Sequence, residues 1–162
     1  MKKKENRPYR MTRNKAIAYA ALAAVVATIG YFSINATIPA NGTAPVLSPP
    51  LNHFLKATHT SKGGYLYVTT SPGGAKGIRN TSGAIVNPTY TMSKGGLQTI
   101  HFINEDYDTH SAHNLNIDEF NVHTRDLGYF ESQTVSFVTD KAGTFQYYCS
   151  IHPEMKGEII IE

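Results

Sequence analysis

The distribution of apolar and charged residues divides the chain into two parts. No charged residue occurs between Lys15 and Lys56, and residues 16–34 form an unbroken run of nineteen uncharged residues, most of them apolar or small. At the rise of an α-helix this run spans about 28 Å, which is enough to cross the hydrocarbon core of a bilayer. The pattern therefore predicts one transmembrane helix over residues 16–34.

The charges flanking this run predict its orientation. Residues 1–15 carry seven basic side chains and one acidic side chain. Because basic flanks remain on the cytoplasmic side, residues 1–15 are predicted to be a cytoplasmic tail and the C-terminal part to be periplasmic or extracellular. A cleaved signal sequence is the alternative, but its apolar region usually has only about 7–15 residues, which favours a retained anchor in the cell membrane.

The remaining charge excludes a nucleic-acid-binding protein. After residue 15 the chain carries eight basic and eleven acidic side chains, so its folded part is mildly acidic. A protein that binds nucleic acid needs positive charge on the folded face that meets the phosphates. The excess positive charge here lies in the tail instead.

The pattern changes again after the helix. Residues 35–50 are rich in Pro, Ala, Asn and Thr and have no apolar period, so residues 35–62 are predicted to be an extended tether. From residue 63 onward, short alternating segments such as LQTIHFIN (97–104) and QTVSFV (133–138) are separated by Gly and Pro turns. Such segments predict an all-β sandwich or barrel over residues 63–162.

The only cysteine of the chain, Cys149, stands at the end of one predicted strand. An unpaired cysteine in an exported domain indicates an intermolecular disulfide, a reactive thiol or a metal ligand. His152 and Met155 follow at three-residue steps, and Pro153 favours a turn, so the three side chains can surround one ion. Copper accepts thiolate, imidazole and thioether together, and two histidines, one cysteine and a distant methionine form the blue-copper arrangement.

The second histidine of such a site must come from elsewhere in the chain. The segment NEDYDTHSAHNLNI (104–117) offers His110 and His113. His113 begins a predicted strand, which holds a side chain more rigidly than a polar turn does. The predicted metal ligands are therefore His113, Cys149, His152 and Met155, with His110 as the alternative to His113.

Two segments resemble the amicyanin and plastocyanin group of cupredoxins. GTFQYYCSIHPEMKGEIIIE (143–162) is similar to the C-terminal strand–loop–strand of that group, and its short C-x-x-H-x-x-M spacing is that of amicyanin. The segment with HNLNI resembles the family's Asn…His-Asn-[VL] segment, which supplies the first ligand and implies His113. The family's equivalent of Asn114 hydrogen-bonds beside the cysteine, which implies a bond from Asn114 to Ser150. The resemblance covers residues 88–162.

The resemblance implies a cupredoxin-like Greek-key β-sandwich that binds one type 1 copper ion, Cu(I) or Cu(II), per chain. It implies a monomeric electron carrier, not an enzyme, whose transient redox partners dock near His152. The sequence has no His-x-His motif and no second cysteine, which copper oxidases and binuclear copper centres need. A copper delivery or storage module and a fixed copper subunit of a larger respiratory complex are the alternative functions.

Overall fold

The computed structural model describes residues 11–69 and 85–162. Its first element is helix α1 (Arg13–Asn35), which is long and apolar enough to cross a membrane and has no buried residue. The predicted apolar helix is therefore confirmed, and it begins three residues before the uncharged run because the helix continues through Arg13 and Lys15. Residues 1–10 of the predicted cytoplasmic tail lie outside the described residues.

Residues 38–162 form a separate compact unit built of strands. In the described part of this unit the strands are β1 (Leu51–Thr60), β2 (Gly64–Thr69), β3 (Tyr90–Met92), β4 (Leu97–Asn104), β5 (Asn116–Ile117), β6 (Val122–His123), β7 (Ser132–Val138), β8 (Gly143–Tyr148) and β9 (Lys156–Ile161). They form a four-stranded sheet in the order β2-β1-β4-β7 and a five-stranded sheet in the order β3-β9-β8-β5-β6. The all-β prediction is confirmed.

The strand order brings together segments that are distant in the chain. β1 and β2 form an antiparallel hairpin that turns at Gly64, whose φ of +68° suits a residue without a side chain. β1 also runs parallel to β4, and β3 runs parallel to β9. Strands that pair in parallel cannot be joined by a tight turn, so the chain passes through the other sheet between β1 and β4 and between β3 and β9. Such crossing connections are a feature of the Greek-key topology.

The core lies between the two sheets. On β4, one alternating face is buried and consists of Gln98, Ile100, Phe102 and Asn104. Phe102 belongs to one continuous apolar cluster that also includes Cys149 and Met155. Each large apolar side chain buried in this way contributes about 1.5–3 kcal/mol. The predicted ligand loop is therefore attached to the core of the domain.

The predicted tether over residues 35–62 is wrong for residues 51–60, which form β1 in the interior of the first sheet. The apolar pattern of β1 is short and interrupted, since buried Leu55 and Ala57 flank Lys56, whose ammonium group lies 3.3 Å from Glu105. Residues before β1 also contact the domain, because the Asn41 side chain hydrogen-bonds to both backbone polar groups of Val138. The β-domain therefore includes residues that composition alone assigned to the tether.

Candidate metal centre

Three side chains that the sequence singled out meet at one end of the sandwich. Cys149 follows β8 directly, and His152 lies in the turn between β8 and β9. His113 comes from the connection between β4 and β5. Cys149 and His113 are buried, whereas His152 is partly exposed.

The sequence predicted that His113 begins a strand, but this prediction is wrong because β5 starts only at Asn116. It is held instead by an isolated bridge to Leu127, in which the backbone N–H of each residue donates to the carbonyl of the other, at 3.0 and 2.8 Å. A bridge of two residues has no alternating pattern that a sequence could show. The side chain is nevertheless held by regular backbone pairing.

The geometry of the three side chains suits a single ion. One ligand atom from each of His113, Cys149 and His152 lies within 4.8 Å of the other two. The Sγ atom of Cys149 is 3.9 Å from Nδ1 of His152, and the two imidazole rings have centroids 4.6 Å apart. Metal–ligand bonds of about 2.0–2.3 Å place ligand atoms at separations of this order.

One nitrogen of His113 is engaged and the other is not. Its Nε2 atom donates a hydrogen bond to Asp106 Oδ2 at 3.2 Å, whereas Nδ1 is buried and has no hydrogen-bond partner among the described residues. A buried polar atom without a partner costs about 1–3 kcal/mol, so such atoms are uncommon unless they have a function. A metal-ligating histidine characteristically shows this arrangement, with the second nitrogen held by a carboxylate.

The protonation states of Asp106 and His113 also suit a histidine that binds a metal. Burial alone would raise the pKa of Asp106, but hydrogen bonds from the Thr109 hydroxyl and backbone, from His113 and from the Ser111 backbone outweigh it and lower the pKa. Burial, together with the neighbouring His152, lowers the pKa of His113 despite the opposing effects of the Asp106 carboxylate and Glu154. The pair is therefore a carboxylate and a neutral imidazole, the form of histidine that binds metals.

Met155 closes the loop that carries Cys149 and His152. Its carbonyl oxygen accepts a hydrogen bond from the backbone N–H of Cys149, and its own N–H donates to the carbonyl of His152, both at 3.0 Å. The Met155 side chain is fully buried in the same apolar cluster as Cys149. The structure thus places the fourth predicted ligand on the buried side of the loop.

Asn114 joins the two segments that carry the histidines. Its Oδ1 atom accepts a hydrogen bond from the backbone N–H of Ser150 at 2.8 Å, and its Nδ2 group donates to Ser150 Oγ at 2.7 Å. The link that the resemblance implied between Asn114 and Ser150 is confirmed. The hydroxyl of Tyr67 donates to the Asn114 carbonyl as a further restraint.

His110, the alternative to His113, lies elsewhere. Its ring is exposed and stacks on Tyr129, with centroids 4.4 Å apart. Among the described residues the remaining histidines also lie outside the group of three: His53, His59, His101 and His123.

Sequence reasoning missed residues that contact the group, and Asp106 and Tyr65 are two of them. Asp106 is one of three acidic residues in NEDYD, and nothing in that segment distinguishes it from its neighbours. Tyr65 lies on β2, far from the ligand segments in the chain, but its ring centroid is 3.8 Å from that of His152. No local signal marks either residue, because each contact depends on how the strands assemble.

Comparisons with known proteins agree with this architecture. The model of the cupredoxin-like domain matches residues 78–161, just over half of the chain. The chain therefore belongs to the cupredoxin-like domain family. Cupredoxin-like domains bind copper, and their fold is typical of copper electron-transfer proteins.

Solved structures that match part of this chain include two nitrite reductases and amicyanin. The copper nitrite reductase of Nitrosomonas europaea is 20% identical, with a TM-score of 0.49 over 70% of this chain and 42% of that chain. The copper-containing nitrite reductase of Thermus scotoductus is 20% identical, with a TM-score of 0.44 over 68% of this chain and 27% of that chain. A reduced Cu(I) form of an amicyanin mutant is 16% identical, with a TM-score of 0.39 over 72% of this chain and 86% of that chain. The chain spans less than half the length of either reductase, and a comparison with curated proteins finds no sequence match.

Proposed function

We propose that this protein is a membrane-anchored electron carrier that holds one type 1 copper ion through His113, Cys149, His152 and Met155. The observation that carries the proposal is the His–Cys–His group, in which the buried Nδ1 atom of His113 has no hydrogen-bond partner among the described residues. Copper bound to such a donor set gains and loses single electrons.

The surrounding residues support a site whose shape changes little. His113 is fixed by its backbone bridge and by Asp106, while the segment after Cys149 is fixed by Asn114. Met155 supplies a weak thioether donor from the buried side, a position that tunes the potential. Restraints of this kind orient ligands before the ion binds.

His152 is the proposed ligand that reaches the surface. The residues beside it, Ile151 and Pro153, are exposed and apolar, and Ile151 retains 41% of its accessible surface. A small apolar patch suits brief encounters, because weak redox complexes use interfaces of limited area. The proposed partner is another exported or membrane redox protein that docks on this patch of a monomeric carrier.

The proposed location follows from the N-terminal region. Helix α1 would anchor the protein in the cell membrane, with the basic residues before it in the cytoplasm. The β-domain would lie on the extracytoplasmic side, joined to the helix by a tether shorter than residues 35–62. If helix α1 were instead a cleaved leader, the β-domain would lie on the same side of the membrane but would not be anchored to it.

The test uses the full chain in detergent, loaded with copper. We expect one copper per chain by metal analysis and an intense visible band from the Cys149 thiolate, which bleaches on reduction and returns on oxidation. Cys149→Ser is the matched control and should show no such band. A colourless protein that still retains copper in both states would contradict the electron-carrier proposal and favour copper delivery or storage.

A further inference from the structure

Tyr65 covers one face of the His152 ring. The ring centroids lie 3.8 Å apart with an angle of 33° between the planes. Tyr65 also approaches His113, with a centroid distance of 5.5 Å. It is the only tyrosine in the described structure whose ring contacts both proposed histidine ligands.

Tyr65 is itself held in place. It follows Gly64, at the turn between β1 and β2, so its backbone position is set by the hairpin. Its hydroxyl hydrogen-bonds to Ser111 Oγ at 3.2 Å, and its ring contacts that of His59, its register partner on β1, at 4.8 Å. The ring therefore has a defined orientation before it meets His152.

The two histidines differ in how their rings are restrained. Nε2 of His113 is bound to a buried carboxylate. Among the described residues, the only side-chain hydrogen-bonding contact of His152 is between Nδ1 and the sulfur of Cys149. His152 also sits in an exposed turn, where Ile151, Pro153 and Glu154 are all exposed. Two aromatic rings contact the His152 ring, and that of Tyr65 is the closer, at 3.8 Å compared with 4.6 Å for His113.

We propose that Tyr65 is a positioning residue that holds the imidazole of His152 in the orientation required for ligation. The ring contact has the role for His152 that the Asp106 hydrogen bond has for His113. Offset or tilted aromatic pairs are favourable beyond the area that they bury. The inference depends on the proposed function, because it assigns Tyr65 a role toward the same ligand set.

The test compares Tyr65→Leu, which removes the ring, with Tyr65→Phe, which keeps the ring and loses the hydroxyl. Phe54→Leu is the matched control, since Phe54 stacks on His101 at 4.7 Å in a pair outside the ligand group. The first readout is the NMR shift of the His152 ring protons in the metal-free chain, which the Tyr65 ring current displaces. The second is the rate at which a chelator removes Cu(I) from the loaded chain.

We expect Tyr65→Leu to lose the ring-current shift and to release Cu(I) about two- to tenfold faster than the wild type. Tyr65→Phe and Phe54→Leu should match the wild type in both readouts. Equal release rates for wild type and Tyr65→Leu would overturn the inference, as would faster release in Tyr65→Phe or in Phe54→Leu. A wild type that binds no copper would instead overturn the proposed function, and this inference with it.

Discussion

Asp106 Oδ2 lies 3.2 Å from Nε2 of His113, and neither side chain is exposed to solvent. This contact leaves Nδ1 as the ring nitrogen that has no hydrogen-bond partner among the described residues. The carboxylate is in turn held by Thr109 and by the backbone of Ser111. The proposed first ligand is thus oriented by a network that the metal does not need to create.

Removal of this carboxylate should weaken metal binding. We predict that Asp106→Ala lowers copper affinity by about 10–100-fold, the usual effect of losing the hydrogen-bond partner of a metal-ligating histidine. A competition titration with a chelator measures the change. Asp108→Ala is the control, because Asp108 is exposed and pairs loosely with His59 at 3.8 Å. Equal affinities for the Asp106 and Asp108 variants would contradict the orienting role.

The two histidines of the THSAH segment should behave differently. We predict that His113→Ala abolishes the visible band of the copper-loaded chain, because it removes a buried donor beside Cys149. His110→Ala should leave the band intact, since His110 stacks on Tyr129 away from the group. Absorption and EPR spectra of the two variants check this, and the reverse pattern would show that His110 is the ligand.

Met155 can be tested by potential and by stability together. We predict that Met155→Leu raises the reduction potential, because loss of a weak donor destabilises Cu(II) more than Cu(I), while the visible band persists. The free energy of unfolding should change by less than about 1.5 kcal/mol, since the two side chains have similar volumes.

Met155→Gln should shift the reduction potential in the opposite direction. Its oxygen donor favours Cu(II), so the potential should fall. Voltammetry of the copper-loaded variants measures both shifts, and denaturant unfolding of the metal-free chains measures the stability. Unchanged potentials in both variants would remove Met155 from the proposed site.

Two neighbouring tyrosines of the core should respond in opposite ways to loss of their hydroxyl groups. The Tyr90 hydroxyl is buried without a hydrogen-bond partner among the described residues, whereas the Tyr147 hydroxyl donates to the Pro88 carbonyl at 2.6 Å. We predict that Tyr90→Phe stabilises the metal-free chain by about 1 kcal/mol and that Tyr147→Phe destabilises it by about 0.5–1.5 kcal/mol. Denaturant unfolding measures both, and a destabilised Tyr90→Phe would show that its hydroxyl has a partner.

Alkaline pH tests the same Tyr90 hydroxyl. Burial raises the pKa of Tyr90 to about 12, compared with about 10 in an unfolded chain. Because the unfolded state loses this proton first, the stability that Tyr90 contributes below pH 10 should decline between about pH 10 and 12. Unfolding experiments across that range should show a smaller decline in Tyr90→Phe than in the wild type. Identical declines would contradict a raised pKa.

The sequence by itself determined the features that depend on neighbouring residues in the chain. The uncharged run predicted helix α1, and the alternation in residues 97–104 predicted strand β4. The spacing of Cys149, His152 and Met155 predicted a single loop around one centre. Each of these follows from a local period or spacing, which the backbone geometry converts directly into direction.

Only the tertiary structure decided the features that join distant segments. The interrupted pattern of β1 predicted a tether, but the segment is a strand because it pairs with both β2 and β4. Asp106 is selected among its acidic neighbours, and Tyr65 is brought over His152, by the packing of the β1–β2 hairpin and of the connection after β4. The residues that could ligate a metal are visible in the chain, but the residues that orient them are chosen by long-range packing, which leaves no periodic signal in the sequence.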